Sequence, residues 1–275
     1  KSVTSLDLHN NLFAYGRLHD EVEHMAMARD LSVTETPLSV QSRTQSFRSP
    51  RSHAVYEADN RAFAQLAESI KHHPSLTKLD LRANGFGCAA AELVWAAVEE
   101  HPSLQEISGI PIDKLKAGEI VDLSLHGGSA RGERLWLEAG GCLLLAKLMD
   151  KYPTPLTRLR LTDQKLSCDP TSWNLAIDDG KWPHYHNPTG VVELARVLAR
   201  IPTLTYILLS DVWDFTAEGG AALGRMLREN ASIASITIGQ TTIDVTKSIR
   251  GCDEIQLDPG KFGDAGAALV AHACD

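Results

Sequence analysis

The sequence lacks an excess of positive charge, a long hydrophobic run and a high content of aromatic residues. Its 275 residues carry a formal net charge of −8, and 6% of them are aromatic. A chain of this charge does not favour the basic face that broad nucleic-acid binding requires. The most apolar run, Gly141 to Met149, contains a lysine and is too short to span a bilayer. We therefore expect neither a nucleic-acid partner nor a membrane span.

Cysteines are few, odd in number and not arranged in CxxC pairs. A disulfide framework or a zinc site would favour an even, regularly spaced set. We expect buried thiols in a reducing compartment, and therefore an intracellular, cytoplasmic protein. The cysteines are Cys88, Cys142, Cys168, Cys252 and Cys274.

Motifs of known catalytic chemistry are also missing. The sequence has no GxxxxGK[ST] phosphate loop, no GxSxG nucleophile elbow, no HExxH and no kinase signature. Two histidines in the loop around Pro183, with nearby aspartates, match no standard metal spacing. We therefore expect a protein that is not an enzyme and that carries no cofactor or metal.

The sequence does contain a repeated apolar pattern. Pairs of apolar residues separated by one residue recur along the chain, and a weaker copy places Ile107 at the first position of the pair. Alternation with a period of two predicts short, half-buried β-strands. The pairs are Leu6 and Leu8, Leu79 and Leu81, Leu123 and Leu125, Leu159 and Leu161, Ile207 and Leu209, Ile236 and Ile238, and Ile255 and Leu257.

Most of these predicted strands are followed by a turn and a helical run. In GVVELARVLARI, residues 190–201, apolar positions recur every three or four residues and form one stripe. A proline follows several of the runs and ends the helix before the next strand. The repeated unit is thus strand, turn, helix and proline stop. The prolines are Pro74, Pro102, Pro153 and Pro202.

This unit resembles leucine-rich repeats of the ribonuclease-inhibitor type. Two separations, 28 residues from Leu79 to Ile107 and 29 from Ile207 to Ile236, are similar to the repeat length of that type. The resemblance implies an α/β fold, a curved horseshoe solenoid with parallel strands on the concave face and helices on the convex face. We expect residues 1–275 to form a single such domain, part of a longer chain or assembly.

The sequence departs from the repeat pattern in two ways. Asn11 and Asn84 occupy the position whose side chain would bond neighbouring turns, but later copies have other residues there. The 16 residues from Ile107 to Leu123 cannot hold a full helix, so we expect a degenerate repeat. The later residues at the asparagine position are Gly128, Gln164, Val212, Thr241 and Gly260.

Two segments exceed the repeat length. Residues 31–53 are rich in serine, threonine and arginine and lack apolar periodicity, which predicts a flexible insertion. The alternative is a regulatory segment, because RSPRS places serines beside arginines that a phosphate would pair with. Residues 167–190 form an aromatic-rich insertion containing Trp173, Trp182 and Tyr185. These aromatics would either pack onto the scaffold or anchor a partner.

Side chains between the paired apolar residues should lie on the exposed face of the sheet. On that face, the earlier strands carry charged residues, whereas the strand at residues 206–209 carries Tyr206 and Leu208. Arg158 and Arg160 stand beside these two residues, and Trp213 lies in the following turn. Together with the three loop aromatics, these residues are the candidate partner-binding site. The alternative is that tyrosine and leucine are ordinary strand residues without a function.

The favoured interpretation is a non-enzymatic protein–protein interaction module, a scaffold or accessory subunit of a larger assembly. Repeat proteins expose a rigid surface whose residues vary without disturbing the stack. The resemblance also implies an alternative, a regulator of an enzyme, such as a GTPase-activating or inhibitor-type leucine-rich repeat protein. A third possibility is the sensing domain of an innate immune receptor. The partner is expected to be a protein.

Overall fold

The computed structural model describes residues 4–8, 61–128, 136–167, 186–209, 216–239, 241–248 and 259–274, in which short strands alternate with helices. The strands are β1 (Ser5–Asp7), β2 (Lys78–Asp80), β3 (Glu106–Ile107), β4 (Ile110–Pro111), β5 (Asp122–His126), β6 (Arg158–Thr162), β7 (Tyr206–Leu209), β8 (Ser235–Ile238) and β9 (Thr241–Asp244). The helices are α1 (Arg61–Lys71), α2 (Cys88–Val98), α3 (Ile112–Ala117), α4 (Glu138–Lys151), α5 (Thr189–Leu198), α6 (Ala217–Glu229), α7 (Val245–Ser248) and α8 (Pro259–Cys274).

The strands form two sheets, one in the order β1-β2-β3-β4 and the other in the order β5-β6-β7-β8-β9. All neighbours pair in parallel except the last pair of each sheet, which is antiparallel. The predicted apolar positions align across the sheets, as in the register of Leu159 with Ile207 and of Ile207 with Ile236. The expectation of an α/β fold with parallel strands is therefore confirmed.

Strands and helices share one hydrophobic core. The helices pack in series, α1 on α2, α2 on α4, α4 on α5, α5 on α6 and α6 on α8. The expectation of buried thiols is confirmed for Cys88 and Cys142 and is wrong for Cys274, which is exposed. Cys168 and Cys252 lie outside the described residues. Among the helices in the described ranges, none has the length and apolar character that a membrane crossing requires.

Glycines allow successive helices to approach closely. A Cβ built on Gly140 of α4 would lie 2.4 Å from the carbonyl oxygen of Phe86, which precedes α2. One built on Gly190 of α5 would lie 2.5 Å from the carbonyl oxygen of Ala139 in α4. Real Cβ atoms do not approach a backbone oxygen so closely, so any larger residue must push the two helices apart.

Buried amides link neighbouring turns. The side-chain amide of Asn84 is fully buried and donates to the carbonyl oxygens of Leu8 at 2.6 Å and Leu81 at 3.0 Å. This is the role that the sequence analysis gave to asparagine at this position. Gln164 stands at the same position of a later repeat, and its Oε1 accepts from the backbone N–H of Leu137 at 2.8 Å. A glutamine thus also binds a neighbouring backbone, which the sequence pattern did not predict.

Hydroxyl groups after the proline stops form a second set of links. The Ser103 hydroxyl donates to the carbonyl oxygen of Leu76 at 2.9 Å, and the Thr203 hydroxyl donates to that of Leu156 at 2.8 Å. Each bond joins one repeated unit to the preceding one. A serine or threonine after proline is common in turns, so the sequence did not show that these hydroxyls link neighbouring units.

Each sheet ends in a hairpin followed by a short helix. Between β3 and β4 lie only Ser108 and Gly109, with φ of +51° and +81°, as two-residue hairpin turns with this twist require. The six-residue α3 follows. The hairpin and α3 occupy the short interval that the sequence analysis interpreted as a degenerate repeat. Hairpin β8–β9 and the four-residue α7 repeat this arrangement in the second sheet.

Several expectations fall on residues that the structure does not describe. These are the insertion at 31–53, residues 168–185 of the aromatic-rich insertion, Asn11 and the apolar pair at Ile255 and Leu257.

Candidate functional site

The candidate site lies on the exposed face of the second sheet. Along β6, Leu159 and Leu161 are buried in the core, while Arg158 and Arg160 alternate with them and lie on the opposite face. The same alternation holds along β7. Because successive strand residues point to opposite faces, burying the leucines necessarily places the arginines on the other side.

The strand register brings four of the predicted residues together. Arg158 pairs with Tyr206, and Arg160 pairs with Leu208. Side chains in register on neighbouring strands lie roughly 5 Å apart. These four residues are called the arginine–apolar patch below. The prediction that they are neighbours is confirmed.

The apolar half of the patch is less exposed than the sequence suggested. Tyr206 and Leu208 are half-buried, because β7 is a central strand whose neighbours cover its flanks on both sides. The arginines are more open, with 56% of the Arg158 side chain and 37% of the Arg160 side chain accessible.

A carboxylate that the sequence analysis did not single out borders the patch. Asp122 of β5 pairs in register with Arg158. Its Oδ2 lies 3.9 Å from Nη1 of Arg158 and 3.4 Å from Nη2 of Arg160. One carboxylate cannot neutralise two guanidinium groups, so positive charge exceeds negative charge among the side chains of β5, β6 and β7. Asp122 was detectable in principle, because it stands two residues before Ser124 in the same alternating strand.

Uncharged polar residues flank the second row of the patch. Ser124 of β5 pairs with Arg160, and Thr237 of β8 pairs with Leu208. The Thr237 hydroxyl lies 2.9 Å from that of Thr242 on β9. Thr237 is only 8% exposed, and its strand β8 lies between β7 and β9. The row is therefore flanked by small hydroxyl side chains.

Beyond Ser124, the face continues at the carboxyl ends of β5 and β6. His126 pairs in register with Thr162, and its Nδ1 lies 2.7 Å from the threonine hydroxyl.

Within the described ranges, no group of three or more histidine, cysteine or acidic side chains could hold a metal ion.

The first sheet presents a different surface. Alternation places Asp80 on its exposed face, but the residue is only 7% exposed and its Oδ1 accepts from Nε of Arg82 at 2.9 Å. The expectation that side chains between paired apolar residues are exposed is therefore wrong at Asp80, because Arg82 covers the carboxylate. Lys78 and Glu106 form a cross-strand ion pair at 2.8 Å. Opposite charges in this sheet thus pair with one another.

The other four candidate residues are all aromatic. Trp173, Trp182, Tyr185 and Trp213 lie outside the described residues. Their part in partner binding stays a prediction from the sequence.

A buried acid lies away from the patch, at the beginning of α4. Oε2 of Glu138 accepts from the backbone N–H of Phe86 at 2.8 Å. Burial raises the pKa of the Glu138 carboxyl to about 7, although the backbone N–H groups of residues 84–86 and the charge on Lys165 lower it. The burial of this acid was not predictable from the sequence, since an acid in the first turn of a helix is ordinarily solvated.

Comparison with models of known protein families and with curated proteins found no match for this chain.

Proposed function

We propose that this protein is a non-enzymatic protein–protein interaction module of the leucine-rich repeat type. It would serve as a scaffold or accessory subunit of a larger assembly. The observation that carries the proposal is the arginine–apolar patch, two arginines in register with a tyrosine and a leucine on an open sheet face. Arginine and tyrosine are enriched in the residues that dominate binding energy at protein interfaces.

The position of the patch on strands also favours binding. Its backbone is held by pairing to β5 on one side and β8 on the other, and the intervening residues Leu159 and Ile207 are fully buried. A backbone held in this way loses little additional freedom when a partner binds. Substitutions on the exposed face also leave the core unchanged, which suits a surface adapted to one partner.

The test is a double variant, Tyr206→Ala with Leu208→Asp, used as bait beside the wild-type chain. Proteins captured from the native source would be quantified by mass spectrometry. We expect the variant to lose the companions that the wild type retains in stoichiometric amounts, because it removes the apolar anchor. Thermal melting monitored by circular dichroism should show that the variant remains folded.

The matched control is Leu93→Asp, which places the same charge at a partly exposed leucine of α2. The control should capture the wild-type set of companions. Unchanged capture by the double variant would remove the patch from the proposal. A captured enzyme whose rate changes when the protein is added would instead indicate a regulator.

A further inference from the structure

We infer that the patch recognises a partner segment that combines an acidic side chain with an apolar one. The carboxylate would bind Arg160 and the apolar side chain would pack on Leu208. This inference rests on the proposed function of the patch and specifies the chemistry of the protein that it binds.

The state of the arginines supports an acidic partner. Charge-assisted bonds between a guanidinium and a carboxylate are typically about 2.7–2.9 Å long. The contacts of Asp122 to Arg158 and Arg160 are 3.9 Å and 3.4 Å, and both involve the same oxygen. Within the part of the chain that the structure describes, both guanidinium groups therefore keep donors that are not used in strong bonds. A carboxylate from a partner would supply the missing negative charge.

The position of Leu208 supports an apolar neighbour for that carboxylate. Arg160 and Leu208 are in register on adjacent strands, and the row continues to Ser124 and Thr237, which carry no charge. An apolar side chain seated on Leu208 would exclude water from the ion pair beside it. Coulombic attraction strengthens when water is displaced, so the two contacts would reinforce one another.

The charges around the patch favour a single carboxylate over a continuous polyanion. The first row begins at Asp122 and ends at Asp244 of β9, which pairs with Ser235. These acids would repel the successive phosphates of a nucleic acid strand. The net charge of −8 acts in the same direction at longer range. A protein segment with one acid beside an apolar residue is repelled less, because it carries a single negative charge.

The test is selection of random peptides displayed on phage against the immobilised full chain. Selected sequences should be enriched in aspartate or glutamate within a few positions of leucine, isoleucine, methionine or phenylalanine. Synthetic copies would then be titrated by fluorescence anisotropy. Arg160→Glu should weaken their binding about tenfold or more. Arg228→Glu, a matched charge reversal at an exposed position of α6, should leave binding unchanged.

The outcomes separate this inference from the proposed function. Peptides that need Leu208 but are unaffected by Arg160→Glu would overturn the acidic partner and leave the patch as an interface. Failure to select any peptide that responds to Arg160→Glu or Leu208→Asp would overturn the inference, and unchanged capture by the double variant would then remove the patch itself. Salt-dependent binding of a single-stranded oligouridine, abolished by Arg160→Glu, would reassign the arginines to phosphate and also overturn it.

Discussion

At the scale of single residues, buried polar side chains form hydrogen bonds that the pattern of apolar residues does not predict. Asn84 contributes its amide to carbonyl oxygens in two units, at Leu8 and Leu81. A buried carbonyl that loses its donor costs roughly 1–3 kcal/mol. The asparagine could be predicted because its position recurs in a familiar pattern. Glu138 could not, since no recurring sequence pattern marks its contact with the backbone of Phe86.

Glu138 should make stability depend on pH in an unusual direction. Its pKa rises from a reference of 4.5 to about 7 on folding, so the folded chain binds a proton more tightly than the unfolded chain. The free energy of unfolding should therefore fall as pH rises from about 4.5 to about 7, by at most roughly 1.4 kcal/mol per pH unit. Above that window this contribution is constant.

The measurement is urea unfolding of the wild type and of Glu138→Gln between these pH values. Glutamine keeps an acceptor for the N–H of Phe86 but does not titrate, so the difference between the two proteins isolates the carboxyl. Glu229→Gln, at an exposed position of α6, controls for the loss of a carboxylate. A difference that stays flat or rises with pH would contradict a buried acid at this position.

At the scale of elements, strand positions were predictable and strand ends were not. Alternation identified β5 to β8 because its period of two matches the pleat of a strand. The hairpins were not predicted from the sequence. The turn between β3 and β4 consists of two residues with positive φ, Ser108 and Gly109, and a serine–glycine pair is too common to mark such a turn. The patch was predicted as a set of neighbours for the same reason as the strands. Its border at Asp122 was overlooked.

Helix packing yields a prediction from two glycines in equivalent early turns of neighbouring helices. Gly190→Ala in α5 should destabilise the protein by about 1–3 kcal/mol, because its Cβ would meet the carbonyl oxygen of Ala139 at 2.5 Å. Gly219→Ala in α6 should be neutral or slightly stabilising, because its nearest neighbour is Val191 Cγ1 at 3.4 Å. Alanine also favours a helix over glycine. Chemical denaturation measures both. Equal changes in the free energy of unfolding would show that the close approach of the helices does not determine the destabilisation.

At the scale of the whole molecule, the helices continue where the sheet is interrupted. The first sheet ends at β4 and the second begins at β5, yet α2 packs directly on α4. Backbone bonds cross this seam from residues 83–86 to residues 136–140, including that from the N–H of Gly140 to the carbonyl oxygen of Phe86 at 2.8 Å. Because no described strands pair across this seam, we expect cooperative unfolding of the two sheets to depend on these contacts in addition to the shared hydrophobic core.

Gly140→Ala should therefore uncouple the two sheets. Its Cβ would lie 2.4 Å from the carbonyl oxygen of Phe86 and would disrupt the seam. Gly190→Ala applies a similar clash between α4 and α5, where β5 and β6 remain paired. We expect hydrogen exchange in urea to show different protection midpoints for β2 and β6 in Gly140→Ala, but a single midpoint in Gly190→Ala and in the wild type. A common midpoint in Gly140→Ala would mean that the shared hydrophobic core is enough to couple the sheets without the seam.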